Sequence, residues 1–395
     1  MRTLEESSRL SDKVKNIKPS AIRKFFDLAN EMKGQVISLS IGEPDFVTPW
    51  VIREAGIYSL EKGYTHYSPN TGYMNLRRDI ARYMYERFGL SYQPDEEILV
   101  TVGGSEAIDL AFRAILNPGD EVIVPEPSFV AYNSLAVMAG ATPVSIATKP
   151  EEGFRLKPEA LEAAITEKSK ILVLAYPNNP TGGIMPREDL EALLPVLEKH
   201  PELIVVSDEL YAELTYSADS HCSIAALPGM HERSVVIGGF SKAFAMTGWR
   251  LGFALAPKDI IGGMNKIHQY GIMSAPTTAQ YGALTALREA YPEVQRMKEA
   301  YNQRRRVLIR RLNAIGLDCF EAEGAFYAFP NIACCGMDSN TFCETLLAEE
   351  QVAVIPGVAF GECGEGFVRI SYAASMDNIK EALRRLERFV NKYRE

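Results

Sequence analysis

The sequence predicts an α/β fold with a mostly parallel sheet of seven strands. Seven short runs are rich in β-branched apolar residues, and most of them are apolar on both faces, as in parallel strands that helices cover on each side. Longer amphipathic runs lie between them, and turn signals such as Asn117-Pro118-Gly119-Asp120 separate them. The predicted strands are 98–102, 121–124, 143–146, 171–175, 203–207, 234–237 and 251–256.

Helical patterns fill the spaces between several of these strands. Residues 106–116 and 187–199 have the helical period, so we expect helices on both faces of the sheet. The two ends of the chain differ from this pattern. Residues 22–33 predict a helix near the N-terminus, whereas 291–315 and 377–393 predict two long charged helices.

The C-terminal third predicts a smaller α+β domain. Between its two long helices lie three apolar runs, at 325–329, 352–355 and 368–372, which are typical of short strands. We expect the N-terminal segment to return to this smaller domain. The predicted division is an N-terminal arm with part of the small domain at 1–47, a large domain at 48–290, and the small C-terminal domain at 291–395.

Length and charge exclude several classes of protein. The chain has 395 residues, more than a single core of roughly 250–300 residues holds, so more than one domain is expected. Its formal net charge of −9 argues against a protein whose main partner is nucleic acid. No membrane span or apolar leader is evident, and six cysteines form no CxxC pair, so free thiols and a cytoplasmic location are expected.

Several common chemistries lack their sequence signals. Neither a G-x-x-x-x-G-K-[ST] phosphate loop nor a G-x-G-x-x-G after a strand is present. The stretch Gly103-Gly104-Ser105-Glu106-Ala107 approaches a nucleophile elbow, but it ends in Ala rather than Gly. The five histidines have no spacing typical of a metal site, so no metal is predicted.

Two loops at predicted strand ends could bind a ligand. Open α/β sheets place ligands at the carboxyl ends of their strands. After the first strand, Gly103 and Gly104 would let the backbone approach a ligand, and a helix starting at Ser105 would direct free N–H groups at an anion. After strand 171–175, two prolines and Gly182 predict an extended, rigid loop that presents the Asn179 amide. Ordinary turns remain the alternative for both loops.

Charged side chains follow two further strands. Asp208 ends a buried strand and therefore needs a partner, which could be a cation or a protonated ring nitrogen, with Tyr211 nearby; a helix N-cap is the alternative. Lys242 comes directly after a buried strand and two glycines, where its amine could form a Schiff base with a carbonyl compound. Arg250 lies eight residues further on, and a solvated surface charge is the alternative for either cation.

Together these groups indicate one cofactor. An anion-binding turn, a carboxylate for a ring nitrogen, a tyrosine, a lysine and an arginine are what pyridoxal phosphate requires of a protein. No single motif among them is specific, but their combination at neighbouring strand ends is.

Longer motifs carry a resemblance to a known family. The sequence resembles the class I, fold-type I pyridoxal-phosphate aminotransferases, in the prokaryotic subgroup that holds aspartate, aromatic amino-acid and N-acetyl-diaminopimelate aminotransferases. The resemblance covers nearly the whole chain. Its motifs are Ser20-Ala21-Ile22-Arg23-Lys24, Ile41-Gly42-Glu43-Pro44-Asp45-Phe46, Tyr64-Thr65-His66-Tyr67, Asn179-Pro180-Thr181-Gly182, Ser241-Lys242-Ala243-Phe244-Ala245-Met246-Thr247-Gly248-Trp249-Arg250 and Arg369-Ile370-Ser371-Tyr372.

The resemblance implies roles around the cofactor ring. Lys242 would form the Schiff base with the cofactor and move the proton between the substrate Cα and the cofactor. Asp208 would keep the ring nitrogen protonated, and Phe129 would stack on the ring. Tyr211 and Asn179 would donate hydrogen bonds to its phenolic oxygen. The catalytic residues implied are therefore Lys242, Asp208 and Tyr211.

The resemblance also implies phosphate contacts, with one departure. Gly104, Ser105 and Arg250 match phosphate-binding positions, and Tyr67 resembles a tyrosine that reaches the phosphate from a partner subunit. A residue that one subunit contributes to the active site of the other implies a homodimer with shared active sites. Many relatives have a hydroxyl residue three positions before the lysine, where this chain has Gly239.

For the substrates, the resemblance implies an aminotransferase that works by a ping-pong cycle. Arg369 would bind the α-carboxylate, helped by Asn179 and the Gly42 backbone. Some aspartate-specific relatives have a lysine where Ser105 stands, so we expect an aromatic or broad-specificity enzyme that uses 2-oxoglutarate. Aspartate or N-acetyl-diaminopimelate specificity is the alternative, with Arg23 as a cation for a distal carboxylate.

Two further functions are weighed against a transaminase. A carbon–sulfur β-lyase would use the same cofactor contacts, and cofactor motifs do not separate the two reactions. The aminotransferase-like domain of a transcription regulator would need an N-terminal DNA-binding module, and because about 20 residues precede the first family motif in this sequence, we expect no such module.

Overall fold

A central sheet of seven strands organises the molecule. The computed structural model describes residues 9–15, 17, 36–218 and 220–394. Its strands are β1 (Ile37–Ser38), β2 (Ile98–Thr101), β3 (Glu121–Glu126), β4 (Thr142–Ala147), β5 (Ser169–Ala175), β6 (Ile204–Asp208), β7 (Ser234–Gly239), β8 (Gly252–Leu255), β9 (Tyr327–Ala328), β10 (Val352–Ala353), β11 (Ile355–Pro356) and β12 (Val368–Ser371). Strands β2 to β8 form the central sheet in the order β2-β8-β7-β6-β5-β3-β4, and β8 alone in that sheet runs antiparallel to its neighbours.

The predicted fold class is confirmed. All seven predicted strands are present, and their ends differ from the prediction by at most two residues. Their patterns are apolar on both faces because both faces are covered: every residue of β2 and of β8 is buried. The register matters for the site, since Asp208 pairs with Ala175 of β5 and with Ile237 of β7. Asp208 therefore ends the middle strand of a parallel trio.

Helices cover the sheet and continue beyond it. They are α1 (Asp12–Lys15), α2 (Trp50–Glu61), α3 (Met74–Phe88), α4 (Gly103–Ile115), α5 (Ala131–Ala139), α6 (Pro158–Ala164), α7 (Arg187–Lys199), α8 (Lys258–Gly271), α9 (Thr277–Glu289), α10 (Tyr291–Ala314), α11 (Ser339–Glu350) and α12 (Met376–Tyr393). In the described parts of the chain, none of the helices combines the length and the apolar character that crossing a bilayer would need. The predicted helix at 22–33 lies outside the described residues.

Helix α4 starts earlier than predicted. We expected its N-terminus at Ser105, but it begins at Gly103. The Glu106 carboxylate accepts a hydrogen bond from the Val102 backbone N–H, at 2.5 Å, and so satisfies a donor that the helix itself leaves free. The two glycines consequently lie inside the first turn of the helix rather than ahead of it.

Short strands and a separate apolar core form the C-terminal part. Strands β11, β12 and β9 make an antiparallel sheet, and β1 pairs in parallel with β10. The β1 pairing supports our proposal that 1–47 shares the small domain with 291–395. Helix α10 begins at the proposed boundary and contributes to both cores, because Val294 packs in the core with the large sheet and Leu308 packs in the C-terminal core.

Candidate active site

One cavity lies at the carboxyl edge of β5, β6 and β7. Its volume is about 300 Å³. Ten of the eleven predicted site residues line it: Gly42, Gly104, Ser105, Phe129, Asn179, Asp208, Tyr211, Lys242, Arg250 and Arg369. The eleventh, Tyr67, lies outside the lining, and 81% of its surface is exposed. The chain therefore brings together residues more than 300 positions apart.

Lys242 lies in the turn that follows β7. Its Nζ donates a hydrogen bond to the Gly42 carbonyl oxygen, at 2.5 Å. Burial lowers the pKa of Lys242 to about 8, and the positive charge of Arg369 acts in the same direction. A lysine with this pKa is partly neutral near pH 7 to 8, which a nucleophilic or basic amine requires.

Gly239, the departure noted in the sequence, has a steric explanation. A Cβ at this position would lie 2.8 Å from Leu210 Cδ2 and 3.3 Å from the Gly252 Cα. The Leu210 side chain also fills the space beside Gly104, where a Cβ would lie 2.6 Å from its Cδ1. A hydroxyl residue at 239 would therefore have to displace Leu210.

Asp208 is buried at the end of β6. Its carboxylate accepts hydrogen bonds from the Tyr132 hydroxyl, at 2.7 Å, and from the Leu210 backbone N–H, at 3.2 Å. Burial raises the pKa of Asp208, and the bond from Tyr132 opposes that rise. Turns rather than a helix follow it, so the alternative of a helix N-cap is wrong. Asp208 is a carboxylate placed to meet a cation.

Two tyrosines meet across the cavity. The hydroxyl groups of Tyr211 and Tyr327 lie 2.7 Å apart, and both side chains are buried. Burial raises the pKa of Tyr211 well above its ordinary value, so the residue is a neutral hydrogen-bonding group at physiological pH. Lys242 Nζ lies 5.6 Å from the centre of the Tyr211 ring.

The loop that carries Asn179 is a compact turn rather than the extended loop we expected. The Gly182 backbone N–H donates to the Asn178 carbonyl oxygen, at 2.9 Å. The Asn178 side-chain oxygen accepts from the Thr181 backbone N–H and hydroxyl, at 3.1 and 3.0 Å. These local bonds outweigh the extended preference that the prolines impose, and they fix the position of Asn179.

Arg369 is the most deeply buried cation of the cavity, with 2% of its surface exposed. Its Nη1 donates to Asn179 Oδ1 at 2.8 Å, and its Nη2 donates to the Ser40 carbonyl oxygen at 2.6 Å. The guanidinium lies 4.6 Å from the ring centre of Tyr327 and 4.9 Å from that of Phe360. Its Nε is buried and has no partner among the described residues, which leaves a donor for a ligand.

The first turn of α4 and Arg250 form an anion-binding cradle, which we define as the backbone of 103–105 and the Arg250 guanidinium. Arg250 has a φ of 54°, in the left-handed region, and its Nη1 donates to the Thr247 carbonyl oxygen at 3.1 Å. A Cβ on Gly103 would lie 2.7 Å from Arg250 Nη2, so glycine allows this close approach. Helix N–H groups beside a guanidinium form a donor set suited to phosphate.

These features together fit pyridoxal phosphate. The cradle can hold a phosphate, and the buried Asp208 carboxylate can face a ring nitrogen. Lys242 lies in the same cavity with a lowered pKa. Phe129 provides an aromatic ring on the wall, 5.8 Å from that of Tyr132.

The lining residues that sequence reasoning did not propose include three that contact predicted site residues directly, namely Tyr132, Leu210 and Tyr327. Tyr132, the partner of Asp208, lies in the first turn of α5, three positions after Phe129, and its closeness in sequence to a predicted site residue could have indicated it. Tyr327 belongs to a short apolar run and Leu210 stands between two polar residues, so nothing in the sequence distinguished either of them.

Comparison with known proteins identifies the family. The family model for aminotransferase class I and II matches residues 34–386. The chain belongs to this family. The Bacillus subtilis protein YugH is 54% identical over 386 residues, which cover 98% of this chain and 99% of YugH. The aspartate aminotransferase of Pyrococcus abyssi is 44% identical over 381 residues, 96% of this chain and 97% of that protein.

A solved structure agrees with this assignment. The aromatic aminotransferase of Pyrococcus horikoshii superposes with a TM-score of 0.89 at 42% identity, over 93% of this chain and 99% of that one. This class I aminotransferase is therefore a pyridoxal-phosphate-dependent transaminase, EC 2.6.1.-, with the fold-type I architecture.

Proposed function

We propose that this enzyme transfers the amino group of an L-amino acid, with aromatic or broad specificity, to 2-oxoglutarate by a ping-pong cycle. The observation that carries the proposal is the charge arrangement in the cavity. Lys242, Arg250 and Arg369 line it, and a phosphate and one α-carboxylate would occupy the two arginines. The described lining contains no fourth Lys or Arg, so an aromatic side chain needs no further partner there, whereas the distal carboxylate of 2-oxoglutarate would need a cation from outside this lining.

Lys242 is proposed as the base and nucleophile. Pyridoxal phosphate, when bound, supplies the electron sink that stabilises negative charge at the substrate Cα. The lowered pKa of Lys242 keeps part of its population neutral, and its Nζ can then take a proton. The Gly42 carbonyl oxygen, 2.5 Å from Nζ, holds the amine in the cavity when the amine is not bonded to the cofactor.

Asp208 is proposed to keep the cofactor ring nitrogen protonated. The Tyr132 hydroxyl and the Leu210 N–H orient its carboxylate, and burial strengthens its attraction for a cation. Because the carboxylate ends a strand in the middle of the sheet, its position is fixed before the cofactor binds. Such preorganised charge is usually the largest contribution of a site to catalysis.

Arg369 is proposed to bind the substrate α-carboxylate. Its two existing bonds, to Asn179 and Ser40, hold the guanidinium 4.6 Å from the ring centre of Tyr327 and 4.9 Å from that of Phe360. The free Nε supplies a further donor. A planar cation fixed in this way can bind a carboxylate in one orientation and so aim the Cα proton at Lys242.

The wall of the cavity favours an uncharged substrate side chain. Apart from its three cations, the charged residues of the described lining are Asp208 and Glu43, and both would repel an acidic substrate side chain. Aspartate remains the alternative substrate, because a relative 44% identical is named an aspartate aminotransferase. Arg23, the cation we proposed for a distal carboxylate, lies outside the described residues.

The functional unit is proposed to be a cytoplasmic homodimer. The exposure of Tyr67 supports this, since a large aromatic side chain that is 81% exposed suits an interface with a second subunit. Exposed Trp50 and Tyr58 on α2 add to the same kind of surface. Mixing a Tyr67→Ala variant with a Lys242→Ala variant should restore part of the activity if Tyr67 acts in the partner's site.

A substrate panel tests the proposed specificity. Amino acids with aromatic, acidic and aliphatic side chains are compared by kcat/KM with 2-oxoglutarate as acceptor. We expect tyrosine or phenylalanine to be at least as good as aspartate. A preference for aspartate or for N-acetyl-diaminopimelate by more than about 100-fold, on the order of 2.7 kcal/mol, would overturn the aromatic assignment. Release of pyruvate from a cysteine conjugate without an acceptor would instead indicate a β-lyase.

The Ser105→Lys variant offers a sharper test of the same point. It adds the missing cation at the wall, so its aspartate kcat/KM should rise relative to that for phenylalanine. Ser105→Met, of similar length but uncharged, is the matched control and should not favour aspartate. If both variants behave alike, charge at this position does not determine the substrate.

A further inference from the structure

A buried histidine and a glutamate lie directly behind the anion-binding cradle. Glu106 is in the first turn of α4, and its Oε1 lies 2.8 Å from Nδ1 of His268 on α8. Its Oε2 accepts the Val102 backbone N–H at 2.5 Å. The His268 side chain is fully buried, and its Nε2 has no partner among the described residues. The described hydrogen bond of the imidazole is therefore the one to Glu106.

This arrangement presents an electrostatic problem. A carboxylate in the first turn of a helix is attracted to the N–H groups at that end, which are the same groups that form the cradle. If Glu106 turned toward those N–H groups, it would compete with the phosphate for them. In the structure it does not line the cavity, because Val102 and His268 hold both of its oxygens on the far side.

We propose that His268 is a positioning residue for cofactor binding. It donates Nδ1–H to Glu106 and so keeps the carboxylate bound to the Val102 N–H, away from the cradle. The same bond stabilises the turn at Gly103, which has a φ of 78° and lies beside Arg250. His268 thus acts on the phosphate site through Glu106 and touches neither cofactor nor substrate. This inference rests on the proposed role of the cradle as the phosphate site.

Two substitutions of His268 separate positioning from packing. His268→Asn can keep a donor near the position of Nδ1, whereas His268→Leu fills a similar volume without a donor. The measurement is the rate at which pyridoxal phosphate leaves the holoenzyme, followed by its absorbance with a trapping reagent. We expect release to be about tenfold faster in His268→Leu, as for a lost hydrogen bond to a charged group, and near the wild-type rate in His268→Asn. Equal rates in the two variants, whether fast or slow, would overturn the proposal.

A packing control and a double variant complete the test. Met264→Ala removes a buried side chain of α8 from the core in which α4 also packs. It should lower the melting temperature without changing the rate of cofactor release. If it speeds release as much as His268→Leu, packing explains the effect. If Glu106 mediates the effect, the Glu106→Ala/His268→Leu double variant releases cofactor no faster than His268→Leu alone. Effects that multiply would contradict the proposal.

The role of the cradle is tested separately with Arg250→Gln. Faster release in Arg250→Gln supports the cradle as the phosphate site. If that variant releases faster and His268→Leu does not, only the inference about His268 fails. If Arg250→Gln binds the cofactor as the wild type does, the assignment of the cradle itself fails.

Discussion

The cavity has two walls that are built in different ways. We define the sheet wall as Asp208, Tyr211, Lys242 and the anion-binding cradle, and the C-terminal wall as Tyr327 and Arg369. Each group of the sheet wall lies at the end or the start of a strand of the large sheet, or begins the helix after one: Asp208 ends β6 and Arg250 precedes β8. The groups of the C-terminal wall lie within short strands, and their partners are distant in sequence: Asn179 is 190 positions from Arg369 and Ser40 is 329.

This difference separates two kinds of site residue. The hydrogen bonds of the large sheet fix the positions of its strand ends. The chemical groups of the sheet wall are therefore set by which residues stand at and directly after each strand. The C-terminal wall depends on contacts between distant segments, including the Tyr211–Tyr327 hydroxyl pair that joins the two walls. We therefore expect changes in the sheet wall to alter cofactor chemistry and changes in the C-terminal wall to alter substrate binding.

The largest effect is expected for Asp208→Asn, in the sheet wall. An amide has no charge to balance a protonated ring nitrogen, so kcat should fall by about 10³-fold, roughly 4 kcal/mol. Steady-state kinetics of the holoenzyme measures this. Tyr132→Phe is the matched control: it removes one hydrogen bond to the same carboxylate and should cost about tenfold at most. An Asp208→Asn enzyme within tenfold of the wild type would contradict the assigned role.

A smaller effect is expected for Arg369→Lys, in the C-terminal wall. Lysine keeps the charge but lacks the planar guanidinium that binds a carboxylate through two parallel bonds. We expect kcat/KM for the amino acid to fall by about 100-fold, while the rate of cofactor release stays at the wild-type value. Faster cofactor release in Arg369→Lys would contradict the assignment of cofactor chemistry to the sheet wall and of substrate binding to the C-terminal wall.

The same division explains what the sequence could predict. The strands of the sheet follow from apolar runs of the right length, and Asp208 and Lys242 stand out because charged residues at buried strand ends need a reason. Arg369 had no such local signal and was proposed only through family resemblance. Tyr327, inside an apolar run, was missed because the hydroxyl it contacts lies 116 positions away. The start of α4 was placed two residues late because the Glu106 bond to Val102 depends on a side-chain conformation.

The two walls also act together on the pKa of Lys242. Burial lowers this pKa to about 8, and Arg369 contributes more to the lowering than Arg250 does. Replacing either cation by glutamine should therefore raise the pKa, and more so for Arg369→Gln. A neutral amine reacts with an acylating reagent, so labelling of Lys242 in the cofactor-free protein should shift to higher pH, as mass spectrometry would detect. A shift to lower pH in either variant would contradict this.

The smallest effect is expected where the walls meet. Tyr327→Phe removes the hydroxyl bonded to Tyr211 but keeps the ring that lies 4.6 Å from the Arg369 guanidinium. One hydrogen bond contributes about 1 kcal/mol, so kcat/KM should fall several-fold. Tyr327→Leu also removes the ring and should lose more, chiefly in KM, because Arg369 is then less well held.

A double-mutant cycle shows whether the bond between the Tyr211 and Tyr327 hydroxyl groups couples the two walls. If the hydroxyl pair is a single unit, Tyr211→Phe/Tyr327→Phe loses no more than Tyr211→Phe alone. Tyr211 is also proposed to contact the cofactor, so its single variant should be the worse of the two. If the losses multiply instead, each hydroxyl acts independently, and the walls are joined only by the packing of the surrounding aromatic rings.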